Sequence, residues 1–272
     1  MDLPLFNYRT EGPADGDWLT FVPGIGNDMS FWADHAHALS GRFRTLVFDP
    51  WGHGASPPPP EPCQFDDIVA GLVQLWDHLD IQRTSLVGLG FGGSVALATA
   101  IEEPQLIDRV VACCCRPRQP DDRREFWRQR QAKAADIGID SLADLTVDRW
   151  LSEDFRIKHP DVDHRLRAMF KRTSLAGYQA YVGAFIEMDF ADRLHSLDRP
   201  ALLVAAEHDH GGGPPHAMRD MADKIAGARF EMIPGAGHIC NFEAPEALAA
   251  LLHSFLTEDR ASSRSPSVRA PG

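Results

Sequence analysis

The chain has 272 residues, of which 44% are hydrophobic, so it is long enough for one large core, or one core with a small subdomain. Its 27 basic and 39 acidic residues give a formal net charge of −12, which disfavours nucleic acid as a partner because the overall field repels a polyanion. The N-terminus shows no basic n-region or apolar h-region, and no apolar run approaches the roughly 18 residues of a membrane span. We therefore predict a cytoplasmic protein with no membrane association.

Short apolar runs alternate with longer segments of helical period, which is typical of a mainly parallel sheet covered by helices on both faces. The fold class predicted from this alternation is α/β. The predicted strands are Trp18 to Val22, Thr45 to Asp49, Thr84 to Leu89, Arg109 to Cys115, Ala201 to Ala206 and Arg229 to Ile233. The predicted helices are Met29 to Leu39, Phe65 to Leu79, Gly92 to Ile101, Pro214 to Ile225 and Pro245 to Leu256.

The alternation stops in a charged, helix-prone stretch that carries several aromatic residues. We interpret residues 116–199 as a helical lid inserted between two strands of a core formed by residues 1–115 and 200–257. The last residues, 258–272, lack any apolar period and are predicted to be disordered. Three consecutive cysteines, Cys113 to Cys115, fit a buried strand better than a disulfide framework or a spaced metal site.

The segment from Thr84 to Leu97 combines a short strand, a glycine-rich corner and a helix of small residues. This is the layout of a nucleophile elbow, G-x-S-x-G, but Gly90 stands at the central position. An elbow serine attacks the substrate, so Gly90 removes the group that would form an acyl-enzyme. Residues 88–93 also satisfy G-x-G-x-x-G, but the next strand does not end in the acidic residue that a dinucleotide site requires. We predict no cofactor.

Two loops that follow strands complete a recognisable order of motifs. One is Val22 to Trp32, and the other is Phe48 to Ser56, which matches D-x-R-G-H-G-x-S with Trp51 at the arginine position. With these motifs the chain resembles the α/β-hydrolases, and in particular the 3-oxoadipate enol-lactonases, over roughly residues 5–256. The resemblance implies the α/β-hydrolase fold with a helical lid and a small-molecule substrate, but it does not predict an oligomeric state.

The resemblance also implies particular site residues. The strand ending at Ala206 leads to Asp209 at the position of the triad acid, and the loop after residue 233 brings His238 to the position of the triad histidine. A carboxylate on one imidazole nitrogen fixes the tautomer and leaves the other nitrogen free to take a proton. The oxyanion hole would consist of the backbone N–H groups of Ile25 and Phe91.

Other residues near these motifs are predicted to line the pocket or to support the loops, and not to take part in the chemistry. Trp150 and Gly24 are predicted to line the substrate pocket, although Trp150 fits the core of the lid equally well. If the resemblance extends to the substrate, Arg116, Arg118 or Arg149 would meet a substrate carboxylate, but solvated charges on the lid surface are the favoured interpretation of these arginines. The run His208-Asp209-His210 does not predict a metal site, because consecutive side chains diverge. We expect His53 to hold its own loop together.

Three functional hypotheses remain open from the sequence. In the first, the protein is an enzyme in which His238 and Asp209 act on water or on a substrate proton without a serine. In the second, it is a non-catalytic binding relative in which Gly90 relaxes a strained corner. In the third, glycine is an introduced substitution of the nucleophile.

Overall fold

The computed structural model describes residues 3–258. The tail predicted to be disordered lies outside these residues, apart from Glu258. Among the helices of residues 3–258, none is long and apolar enough to cross a membrane.

A seven-stranded sheet forms the centre of the molecule, in the order β1-β3-β2-β4-β5-β6-β7. Strand β1 pairs with β3 antiparallel, and all the other pairs are parallel. The strands are β1 (Asn7–Glu11), β2 (Trp18–Val22), β3 (Arg44–Asp49), β4 (Thr84–Leu89), β5 (Ile107–Cys113), β6 (Ala201–Ala206) and β7 (Arg229–Ile233).

Ten α-helices belong to the described residues. Six of them accompany the strands: α1 (Ala33–Leu39), α2 (Phe65–His78), α3 (Phe91–Glu102), α8 (Pro215–Ala222), α9 (Cys240–Glu243) and α10 (Pro245–Thr257). The other four lie between β5 and β6: α4 (Asp121–Trp150), α5 (Glu153–Lys158), α6 (Pro160–Phe170) and α7 (Leu175–Glu187). Helix α4 is kinked at Gly138, where the backbone leaves the helical region at φ 78°.

The order of the strands determines where a ligand can bind. The chain passes from β2 outward to β3 and then returns to place β4 on the other side of β2. In an open parallel sheet, the crevice at the carboxyl ends of the strands beside such a reversal is the usual ligand position. The loops after β2 and β4, which contain Gly24 and Gly90, lie at this reversal.

Most predicted strands and helices were confirmed. The helix predicted over Pro214 to Ile225 ends earlier, at Ala222, and the short α9 was not predicted. Three further differences have a clear physical basis or change the site. Strand β1 was missed, because its sequence NYRTE is polar and only half buried at the sheet edge. The helix predicted from Met29 begins with a separate 3₁₀ turn, Met29–Phe31, before α1. The strand predicted to end at Cys115 ends at Cys113, and Cys114 turns the chain with a φ of 50°.

Trp51 fills the core on the side of α2. Its indole is fully buried, lies 4.6 Å from the ring centre of Phe6, and donates from Nε1 to the carbonyl oxygen of Pro4 at 2.7 Å. Gly71 of α2 packs against the ring so closely that a Cβ atom there would lie 2.6 Å from it. The motif position that carries arginine in the resembled family is therefore an apolar anchor in this chain.

We expect Trp51→Ala to lower the free energy of unfolding by about 3–5 kcal/mol, because it leaves a large cavity and an unpaired carbonyl group. Urea denaturation measures the change. The matched control is Ile157→Ala on α5, whose side chain is 71% exposed and whose loss should change stability by about 0.5 kcal/mol or less. Equal effects of the two substitutions would contradict this account of the core.

Candidate active site

A cavity of about 550 Å³ lies between the carboxyl ends of the strands and the helices that connect β5 to β6. Its lining is mainly apolar and aromatic, with a few polar groups, as in most small-molecule sites. Six residues predicted for the site contribute to the wall: Gly24, Ile25, Phe91, Trp150, Asp209 and His238.

Asp209 follows β6 and is almost completely buried. Its Oδ1 accepts hydrogen bonds from the amides of Gly211 and Gly212 at 2.9 and 2.8 Å, and its Oδ2 accepts one from Gly213 at 2.8 Å. Burial alone would raise the pKa of this carboxyl group, but the His238 imidazole and the amides outweigh burial and hold the pKa well below its ordinary value. Asp209 is therefore ionised at neutral pH.

His238 lies on the loop after β7, and its ring contacts Asp209 directly. The Nδ1 and Oδ2 atoms are 3.0 Å apart, and a fifth of the imidazole is exposed. Burial alone would lower the pKa of His238, but the Asp209 carboxylate more than compensates, so the net pKa is raised. With the Nδ1 proton donated to Asp209, Nε2 is the nitrogen that can accept a proton.

The glycine run after Asp209 is required by close packing, and we did not assign it from the sequence. A Cβ atom at Gly212 would lie 2.1 Å from Cε1 of His238, and one at Gly213 would lie 2.3 Å from the backbone nitrogen of Cys115. Any side chain at these two positions would displace the imidazole or the backbone of Cys114 and Cys115, just beyond β5. The signal was visible as three consecutive glycines immediately after the acid.

Gly90 forms the sharp corner between β4 and α3, with φ 58° and ψ −125°. This backbone conformation is rare for residues with a side chain. Its neighbour Gly88 allows the corner to close, because a Cβ atom there would lie 2.2 Å from the carbonyl oxygen of Gly92. A Cβ atom at Gly90 itself would lie 3.2 Å from Nε2 of His238. The bare corner therefore faces the proton-accepting nitrogen.

The loop after β2 brings a backbone amide to the same corner. Gly24 approaches the end of β4, because a Cβ atom there would lie 3.3 Å from the carbonyl oxygen of Leu89. Within residues 3–258, the amide of Ile25 donates no backbone hydrogen bond. The amide of Phe91 is at the first position of α3, where helices leave N–H groups without an intrahelical acceptor. Both residues line the cavity.

His53 holds its own loop together, as expected from the sequence, and it also holds the loop after β2, which was not expected. Its Nε2 accepts a hydrogen bond from the amide of Gly26 at 3.0 Å, and its Nδ1 donates to the carbonyl oxygen of Trp51 at 2.9 Å. Burial lowers the pKa of His53 to about 4, so the ring is neutral near pH 7 and retains the acceptor that the loop needs.

The family model described as the alpha/beta hydrolase fold matches residues 17–245. The chain belongs to the α/β-hydrolase family. It is 26% identical to 3-oxoadipate enol-lactonase 2 of Acinetobacter baylyi, over 89% of each chain.

Solved structures extend the comparison for this α/β-hydrolase. The enol-lactonase of Burkholderia xenovorans superposes with a TM-score of 0.89 and 32% identity, covering 93% of this chain and 96% of the other. The thermophilic esterase of Thermogutta terrifontis superposes with a TM-score of 0.86 and 26% identity, covering 96% and 94%. These homologues are hydrolytic enzymes, which supports the prediction that this α/β-hydrolase is also an enzyme.

Two further groups of this α/β-hydrolase lie beside the histidine. The Cys114 thiol belongs to a cluster with Asp209 and His238 in which one polar atom from each lies within 4.8 Å of the others. Glu243 accepts hydrogen bonds from the amides of Gly237 and, at 3.5 Å, Ser152, so it links the histidine loop to the start of α5. Neither role was predicted, because each depends on packing between distant segments.

We expect Gly212→Ala to push the His238 ring away from Asp209 and thereby lower the pKa of His238, since burial remains while the carboxylate contact weakens. The neutral ring would then persist to lower pH than in the parent. Titration of the imidazole resonances by NMR measures the change. Gly183→Ala is the matched control, because its Cβ would meet only Gln131, at 3.7 Å. A parental His238 pKa in Gly212→Ala would contradict this account.

Proposed function

We propose that this α/β-hydrolase acts on a small carbonyl compound, an ester, a lactone or a β-keto acid, through water or a substrate proton activated by His238, without a nucleophilic serine. The observation that carries the proposal is the corner at Gly90. Its backbone keeps the left-handed φ of 58° while offering no hydroxyl group, and it faces Nε2 of His238. The space that an elbow serine would occupy is thereby available to water.

Two neighbouring side chains are poor substitutes for the missing nucleophile. The hydroxyl of Ser94 is buried one turn into α3 and donates to the carbonyl oxygen of Arg116 at 2.7 Å. The Cys114 thiol is buried, and its contact with Cys240 together with desolvation raises its pKa well above the ordinary value. A protonated thiol is a weak nucleophile, because the thiolate is the reactive form.

In the proposed hydrolysis, His238 first accepts a proton from water and later returns it to the leaving group. Nε2 of His238 takes a proton from water as the water oxygen attacks the carbonyl carbon, and Asp209 stabilises the imidazolium that forms. The carbonyl oxygen becomes an oxyanion that accepts hydrogen bonds from the amides of Ile25 and Phe91. When the tetrahedral centre collapses, the carbon–oxygen bond to the leaving group breaks and His238 returns its proton to that oxygen.

The helices of residues 116–199 are proposed to act as the lid of this site. Trp150 at the end of α4 is buried against the ring of Phe170, at 5.9 Å between centroids, and lines the cavity. A lid that excludes bulk water strengthens the electrostatic interactions of the dyad and the oxyanion hole. Gly24 also lines the cavity. The lactones acted on by the enol-lactonase homologues are the first substrate class to try.

The test is turnover of a panel of lactones, esters and β-keto acids by the parent, His238→Ala and Gly90→Ser. We expect the parent to turn over at least one class, and His238→Ala to lose about 100- to 10,000-fold, as is typical for a general base. His216→Ala, an exposed histidine on α8, is the control and should retain the parental rate. Gly90→Ser should fold at a cost of about 1–3 kcal/mol for a side chain at positive φ.

A fluorophosphonate probe distinguishes attack by a serine hydroxyl from attack by water, because it reacts with an activated serine. It should label Gly90→Ser, in which the new hydroxyl lies beside His238, and leave the parent unlabelled although the parent is active. A parent that turns over no member of the panel, while Gly90→Ser does, would contradict the proposal and favour either a binding relative or an introduced substitution of the nucleophile. Equal rates for the parent and His238→Ala would contradict it as well.

A further inference from the structure

Three guanidinium groups of α4 converge on the cavity wall: those of Arg123, Arg130 and Arg149. Within residues 3–258, none of them forms an ion pair. The ion pairs on the first half of this helix belong to Arg124 and Arg128, which contact Glu187 outside the cavity. The cavity wall therefore carries positive charge that the surrounding protein leaves uncompensated.

The acidic residues of the cavity are already engaged elsewhere. Asp209 is bound to His238 and to three glycine amides, and Glu243 accepts the amides of Gly237 and Ser152. Neither carboxylate forms an ion pair with the three arginines. Within residues 3–258, no carboxylate therefore serves as the counter-charge of these three arginines.

The ring of Phe126 holds the three cations together. The guanidinium carbons of Arg123, Arg149 and Arg130 lie 4.7, 4.8 and 5.9 Å from its centroid. A cation within about 6 Å of an aromatic face is attracted by the ring quadrupole. This contact orients the guanidinium groups but cannot neutralise them. The pKa of Arg149 is lowered to about 10, mainly by desolvation and to a smaller extent by repulsion from the other two arginines. The group therefore stays charged at neutral pH.

Polar atoms on the same wall lack hydrogen-bond partners within the described residues. They are the Nε atoms of Arg123 and Arg130 and the hydroxyl of Tyr178. Arg130 is only 8% exposed and Tyr178 only 1%, so water does not readily satisfy them. Burial raises the pKa of Tyr178, which keeps its hydroxyl protonated as a donor. Leaving a buried donor unsatisfied is unfavourable, and a bound acceptor would remove this penalty.

We propose that this wall is a subsite for a doubly charged anionic group of the substrate, such as a phosphate monoester or a pair of neighbouring carboxylates. A single carboxylate would leave two of the three charges uncompensated, whereas a dianion offers enough oxygens for several forked guanidinium contacts. The inference rests on the proposed function in treating the ligand as substrate, but the binding of the anion itself requires no turnover.

The anion wall and the histidine share one cavity, because Arg149 and His238 both line it. The positive charge of Arg149 lowers the pKa of the imidazole, in opposition to Asp209. A dianion on Arg149 would screen this effect and make His238 a stronger base. Occupation of the subsite should therefore be visible at the histidine even with an anion that is not a substrate.

The test is calorimetric titration of the full chain with inorganic phosphate, malonate and acetate at pH 8 and constant ionic strength. We expect phosphate or malonate to bind about tenfold or more tightly than acetate, and to raise the pKa of His238 measured by NMR. A preference for phosphate would indicate a phosphate ester, and a preference for malonate a dicarboxylate.

Substitution of single arginines tests whether the anion binds at the cavity wall formed by Arg123, Arg130 and Arg149. Arg149→Gln, at an accessible position, and Arg130→Gln, at a buried one, should each weaken binding by roughly tenfold. Arg124→Gln, on the same helix but outside the cavity, should leave binding unchanged. Acetate binding as tightly as the dianions would overturn the inference, as would binding insensitive to Arg149→Gln, or no binding of any anion. Anion binding without turnover would leave the subsite intact and contradict only the proposed function.

Discussion

The hydrogen bond between Asp209 and His238 is the constraint on which the rest of the site depends. It joins the loops after β6 and β7 across 3.0 Å and places a carboxylate in an almost fully buried position. An unpaired buried charge would cost several kcal/mol, so the amides of residues 211–213 and the imidazole must be in place together. This requirement explains the run of glycines, since a Cβ at Gly212 would occupy the space of the His238 ring.

Part of this arrangement could be predicted from the sequence. The period of the apolar residues identified six strands and most helices beside them, whereas the positions of Asp209, His238, Ile25 and Phe91 were implied by the resemblance to the α/β-hydrolases. What could not be predicted depends on contacts between distant segments. The edge strand β1 carries no apolar alternation, and its pairing with β3 is decided by the rest of the sheet.

The same distinction holds within the site. Cys114 appeared as one of three residues in a buried strand, but it leaves the strand and turns toward Asp209 and His238. The arginines of α4 resembled ordinary solvated charges in the sequence. Their contacts with Phe126, and the lack of ion-pair partners for Arg123, Arg130 and Arg149 within residues 3–258, are visible only in the folded chain. Glycine at position 90 was evident from the sequence, whereas its distance from Nε2 of His238 required the folded chain.

Glycine at position 90 removes the nucleophile from the site and leaves the other catalytic candidates in place. The strained turn, the two backbone amides and the acid–histidine pair do not depend on a serine side chain, so they can serve a reaction in which water attacks directly. The central claim is the absence of a covalent intermediate. The most direct measurement is intact-protein mass spectrometry of the parent chain, quenched during steady turnover of an ester or lactone that it hydrolyses. The account predicts the unmodified mass throughout turnover. A transient increase equal to the acyl group, on Cys114 or any other residue, would contradict it.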